Sequence, residues 1–251
     1  MTKGFYNLTS GMLSQSRRLD VVANNMTNLS TPGYKAETYT DSTFEEVLYS
    51  RIGNKDKTGA QVIGEQSYLL APSAFYVDYS QGGLEETGLN LDFAIQGDGF
   101  FAVQAADGVE YTRGGSFSLD GEGYLYLPGH GRVLGMDGQP IQLTTDAVRA
   151  DQQGRIYTQD GGYYLGQLGV FTFADNAQLV KETSGLLGAN GQAAVPTATQ
   201  VRWKWVESAN VDMVQEMTRM MTAQRALQSA SQVIKLYDGL LTKATTEVGR
   251  M

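Results

Sequence analysis

The sequence predicts an α+β protein, with a long helix at each end of the chain and a mainly antiparallel β domain inserted between them. Three observations predict it. Of the 30 glycines in 251 residues, 22 fall between Gly82 and Gly191 and none between 192 and 238, which separates a turn-rich middle from helix-compatible ends. No proline precedes Pro32 or follows Pro196, and eight of the nine methionines lie in residues 1–26 or 213–251. The apolar residues recur every seven positions at the ends but in short alternating runs in the middle.

In the first helix Phe5, Met12, Leu19 and Met26 are seven apart, with Leu8, Gln15, Val22 and Leu29 three residues after each. This 3-4 spacing draws a seam along one face, broken only by Gln15, and suits packing against another helix or against the domain's own core. The helix stops in NNMTNLSTPGY. Pro32 lacks an amide hydrogen and disfavours helical geometry at Thr31, and Gly33 supplies the positive φ needed at the third position of a type II turn, so Thr31-Pro32-Gly33-Tyr34 ends the helix and reverses the chain. Asn24, Asn25 and Asn28 are indifferent helix formers whose side chains pair readily with backbone groups, as a polar helix end requires.

Residues 36–80 read as a connector with some strand: FEEVLY at 44–49 suits a short helical turn, and RIGNKDKTG an exposed loop. From Leu91 to Phe173 short apolar runs (LDFAI, GFFAV, VEYT, YLYL, RIYT) are cut by DG, DGEG, PGHG and QDGG, which predicts close antiparallel turns in a barrel or a sandwich. VRWKWVE at 201–207 alternates Val201, Trp203 and Trp205 with Arg202 and Lys204, a half-buried strand entering the last helix. The resulting divisions are 1–35 (helix and turn), 36–80 (connector), 81–207 (β domain) and 208–251 (C-terminal helix).

In that last helix Met213, Met220, Leu227, Ile234 and Leu241 repeat every seven residues, interleaved with Ala223, Ala230, Tyr237 and Ala244. Ser208 or Asn210 is placed to cap it, with Asp212 in its first turn. Val214, Met217, Met221, Val233, Leu236 and Leu240 widen the apolar face beyond what one partner covers. Each large aliphatic side chain left in water forfeits roughly 1.5–3 kcal/mol, so the ends are expected to order by packing with neighbouring copies.

The formal net charge of -8 argues against a general nucleic-acid binder, and the absence of cysteine excludes disulfides, thiolate metal sites and a cysteine nucleophile. No apolar stretch is long enough to cross a bilayer, and MTKGFYNLTSGMLSQSRR lacks the apolar run of a secretory signal. Asp107-Gly108, Asp120-Gly121, Asp137-Gly138 and Asp160-Gly161 lack the acidic pattern of a calcium loop and fit hairpin turns. His130 is the sole histidine, which excludes an imidazole cluster; QGDGFF at 96–101 is a turn into an aromatic strand, not a dinucleotide loop. No catalytic, cofactor or metal site emerges.

ANNMTNLSTPGYK (23–35), SQGGLEETGLNLDFAIQGDGFFAVQ (80–104), YTRGGSFSLDGEGYL (111–125) and VESANVDMVQEMTRMMTAQRALQSASQVIKLYDGLL (206–241) together resemble, in family order, the signatures of the bacterial flagellar hook and rod proteins. The resemblance implies a non-enzymatic axial subunit of the basal body whose terminal helices pair as a coiled coil inside a hollow helical polymer, with the β domain outside. It implies as partners other copies of the chain, other rod and hook subunits and the flagellar export apparatus, with export lacking a cleaved signal peptide and no membrane insertion. The short middle favours rod over hook. Leu8, Met12, Leu19, Val22, Met26, Met213, Met220, Leu227, Ile234 and Leu241 are the expected assembly contacts, and Asn24, Asn25, Thr31, Pro32, Gly33 and Tyr34 the motif turn. A second reading is a cell-surface binding or scaffolding module gripping glycan through Tyr163, Tyr164 and Trp203.

Overall fold

In a computed structural model the described residues are 2–43, 47–51, 61–66, 70–105, 108–160, 162–182, 184–192, 194–197 and 199–250. The chain forms two units, one of residues 1–26, 37–76 and 212–251, the other of residues 27–36 and 77–211.

In the first unit, helix α1 (Thr2–Thr27) and helix α2 (Met213–Val248) are in contact, as the family resemblance implies. Asp212, in an extended conformation, caps α2: its carboxylate accepts from the amides of Val214 (2.9 Å) and Gln215 (3.2 Å), satisfying two donors that the first turn leaves free. The cap is therefore neither Ser208 nor Asn210. Strand Glu37–Thr43 pairs with Leu70–Val77, and Val47–Arg51 forms an antiparallel hairpin with Gln61–Gln66. The connector thus carries more strand than its mixed composition suggests. Residues 47–49 of FEEVLY are strand, while 44–46 and the expected loop at 52–59 lie outside the described residues.

The second unit contains the inserted antiparallel β region. Its sheet is organised around strand Phe100–Ala105, which pairs along one edge with Gly108–Thr112 and along the other with Val170–Thr172 and then Gly131–Val133. Successive side chains of this strand point to opposite faces, and both faces are covered. Phe101 enters a core with Phe93, Phe117, Leu125, Ile156 and Leu168, whereas Phe100 and Ala102 enter another with Tyr111, Leu134 and Leu187. That is why GFFAV reads as a continuous apolar run rather than an alternating one. Strands Val148–Ala150, Arg155–Thr158 and Tyr164–Gln167 form a separate meander.

The hairpin reading of the Asp-Gly pairs holds where both residues are described. Asp120 accepts from the amides of Glu122 and Tyr124, Asp137 accepts from that of Gln139, and Gly138 has φ +75°. Asp107 and Gly161 lie outside the described residues. VRWKWVE is not one strand: Gln200–Trp203 pairs with Phe93–Gln96, Trp205–Glu207 pairs with Leu84–Glu86, and between them Lys204 adopts φ +67°. Val206 and Glu207 point to opposite faces of the second of these strands, and both are buried.

Gly115 lets strand Phe93–Gln96 approach, since a Cβ there would lie 1.7 Å from the Phe93 carbonyl oxygen, and the Phe93 amide donates to the Gly115 carbonyl (2.9 Å). Gly115→Ala is expected to lower stability by about 1–3 kcal/mol, the usual scale of overpacking, read as a lower urea midpoint at unchanged slope.

Candidate functional site

Helix α1 ends at Thr27, before the Thr31–Tyr34 turn expected to stop it, so Leu29 lies beyond the helical seam, but the turn itself has the predicted form. The Tyr34 amide donates to the Thr31 carbonyl (3.2 Å), and Gly33 has φ +72°. Gly33 also permits a close approach, because a Cβ would stand 2.0 Å from the Gly114 nitrogen. Its amide donates to the Glu207 carbonyl at 2.6 Å.

Beside this turn lies a buried ion cluster. Glu207 is 0% exposed, and its Oε1 accepts from Lys35 Nζ (2.6 Å) and the Gly82 amide (2.9 Å), its Oε2 from Arg113 Nη1 (3.2 Å). Lys35 also donates to the Ser80 carbonyl and Arg113 to that of Gly97. Arg113 lies over the Phe100 ring. Burial lowers the pKa of Lys35, opposed by its hydrogen bond and charge pairing with Glu207, and burial likewise lowers that of Arg113. Nearby, Asn210 accepts from the Ala36 amide (2.7 Å) and donates to the carbonyls of Asp78 and Ser80, tying residues 36 and 78–80 together.

One residue or more from each of the four motif blocks meets here: Lys35, Gly82, Arg113 and Glu207. Sequence reasoning missed Lys35, Arg113 and Glu207, and assigned Asn210 a helix cap instead of this role. The one available signal was parity, since counting by twos from Val201 puts a carboxylate, Glu207, on the buried side of an apolar alternation.

The first unit has its own polar ties. Asn25, 1% exposed, donates to the Glu37 carbonyl (2.9 Å) and accepts from the Glu37 amide (3.0 Å), so its amide group imitates a neighbouring strand. Asp41 accepts from Ser14 (2.7 Å) and pairs with Arg18 (2.6 Å), holding strand Glu37–Thr43 against α1. Burial pushes the Asp41 pKa up, but hydrogen bonds from Ser14, Tyr39 and Arg18 and the charge of Arg18 bring it below the ordinary carboxylate value of 3.8.

Of the expected assembly residues, Leu8, Met12, Leu19, Met26, Met220, Leu227, Ile234 and Leu241 are half-buried, Val22 is buried and Met213 is exposed. Val22 and Ala223 meet at a groove of about 420 Å³ that Val21, Thr222 and Ala226 also line. Outside the seam, α2 leaves Val214 (75%), Leu236 (70%) and Leu240 (66%) exposed, together with Met217, Met221 and Val233. Asn24 and Thr31 are exposed, and Pro32 and Tyr34 half-buried. Among the aromatic residues considered for glycan, Tyr163 and Tyr164 are exposed, whereas Trp203 packs on the core and donates to the Asn90 carbonyl. Among the described residues no cluster of metal-ligating side chains occurs, and no helix is long and apolar enough to cross a membrane.

Three family models match the chain: "Flagella basal body rod protein" at residues 5–35, "Flagellar hook protein FlgE/F/G D1 domain" at 94–158, and "Flagellar basal body rod FlgEFG protein C-terminal" at 204–247. The chain is 33% identical to the flagellar basal-body rod protein FlgG of Bacillus subtilis, over 96% of its own length and 97% of the relative's. It is 34% identical to FlgG of Agrobacterium fabrum, over 91% and 93% of the two lengths. With FlgF of Mesorhizobium japonicum it shares 31% identity, over 94% and 93%.

Glu207→Gln leaves two buried cations without their carboxylate and is expected to lose about 3–5 kcal/mol, measurable by urea unfolding of the purified chain. Asp41 gives a pH signature. Because its folded pKa lies below its unfolded value, its stabilisation is present above pH 3.8 and is lost as pH falls through the folded pKa. The wild type should therefore be more stable than Asp41→Asn near neutrality, and the gap in melting temperature should close in acid below pH 3.8.

Proposed function

The chain belongs to the flagellar basal-body rod protein family, a structural and non-enzymatic family, and from that premise we propose how this rod subunit polymerises. Family membership implies assembly with rod subunits. In our reading the terminal helices pair within each copy through their seams, and their remaining apolar surface packs on neighbouring copies in a hollow, helically arranged shaft. The β region makes lateral contacts that stiffen it. The ten seam residues from Leu8 to Leu241 contribute the part of their surface that the intramolecular pair leaves uncovered. Delivery through the flagellar export apparatus without a cleaved leader belongs to the same proposal.

The observation that carries it is the apolar surface of α2. Val214, Met217 and Met221 form one exposed patch, and Val233, Leu236 and Leu240 a second. Corresponding members Val214 and Val233 are 19 positions apart, which at about 100° per residue rotates the second patch by roughly 100° around the helix from the first. One neighbouring helix cannot cover both. Two different neighbours can, and contacts of unlike surfaces are those that extend a polymer without closing it.

Leu236→Asp is expected to leave the isolated chain folded, with an unchanged circular dichroism spectrum, and to abolish its incorporation into basal bodies, as is Met220→Asp at the seam edge. Motile cells with full-length rods built from Leu236→Asp would show that this patch faces no neighbour.

A further inference from the structure

The ion cluster of the second unit carries an imbalance of charge. Two buried cations, Lys35 and Arg113, share one buried carboxylate, Glu207. Both cations also line a cavity of about 30 Å³, to which Lys181 adds a third cationic side chain, its ammonium 4.3 Å from the centre of the Tyr34 ring. Tyr34, Thr112 and Gly33 complete much of the wall, and no carboxylate is among the lining residues. Arg113 Nη1 and Nη2 donate to Glu207 and to the Gly97 carbonyl, but its Nε, also buried, has no hydrogen-bond partner among the described residues.

We propose that this cavity binds a small monovalent anion of chloride size, with Arg113 Nε as its hydrogen-bond donor and Lys35 and Lys181 completing the positive field. The volume exceeds the ~10–15 Å³ that one water requires, and suits a single small species rather than a large polyatomic anion. A water would satisfy the Nε donor but leave the excess charge of Lys35 and Arg113 over Glu207, and buried charge in excess of its counterion is the more costly deficit. Asp78 and Asp98 also act on the cluster, but both are exposed, where solvent and salt screen them. Because Gly33 and Tyr34 form part of the wall, the ion braces the Thr31–Tyr34 turn from behind. The inference is independent of how copies of the chain assemble.

Thermal unfolding of the full-length chain tests it at constant ionic strength, with gluconate replaced stepwise by chloride or bromide. The melting temperature should rise saturably in the wild type and in Lys181→Arg, and the rise should be lost in Lys181→Gln. An equal response in Lys181→Gln, or a flat one in the wild type, overturns the proposal. Crystals grown in bromide supply a reading that needs no variant. An anomalous peak within hydrogen-bonding distance of Arg113 Nε is expected, and ordered water there without anomalous signal overturns the site.

Discussion

A carboxylate removed from water must be met by charge and by hydrogen-bond donors, and Glu207 imposes that requirement on the second unit. Its side chain takes a lysine, an arginine and a main-chain amide, and its carbonyl takes the Gly33 amide. Removing an ion from water costs several kcal/mol, which the pairing offsets only if all partners arrive together. The partners come from segments far apart in sequence, 172 residues for Lys35 and 94 for Arg113. The helix-ending turn, the SQGG segment, the YTRGG segment and the last strand are therefore fixed relative to one another by one side chain.

How much of this can be read from sequence depends on the range of the interaction. The Thr31–Tyr34 reversal, the Asp120 and Asp137 turns and the heptad seams are legible because each is decided by residues within a turn or two of one another. Asn25 is half legible. Its poor helix propensity marks it as a residue with a polar task, but nothing local shows that the task is to imitate a strand for Glu37. Asn210 shows the converse. Its type and place suit a helix cap, yet its amide is engaged by residues 36, 78 and 80, and the capping passes to Asp212. The Lys35–Glu207–Arg113 cluster was invisible as a cluster, because a single chain without comparison gives a buried ion pair no periodicity.

The two kinds of contact have different physical characters. Within each unit the ties that set register are polar and directional: Asn25 to Glu37, Ser14 and Arg18 to Asp41, Asn210 to the paired segments at 36 and 78. Such bonds are satisfied in one geometry and are lost over a fraction of an ångström. The uncovered faces of α2 are apolar and rich in methionine, with Met217 and Met221 in one patch and aliphatic residues in the other. Contacts of that kind depend on area more than angle, and an unbranched thioether adapts to neighbours that differ slightly in position.

That division suits a subunit that must hold its own shape while its surroundings vary. If the outward faces were polar, every lattice position would need the same hydrogen-bond geometry, and a slightly inequivalent neighbour would leave buried donors unsatisfied at about 1–3 kcal/mol each. If the internal ties were apolar, register along α1 would be weakly specified, because a seam of Met and Leu tolerates a slide that Asn25 and Ser14 forbid. In the proposed polymer, directional chemistry inside each copy and adaptable chemistry outside it follow from the same constraint, that one chain geometry must serve at many positions.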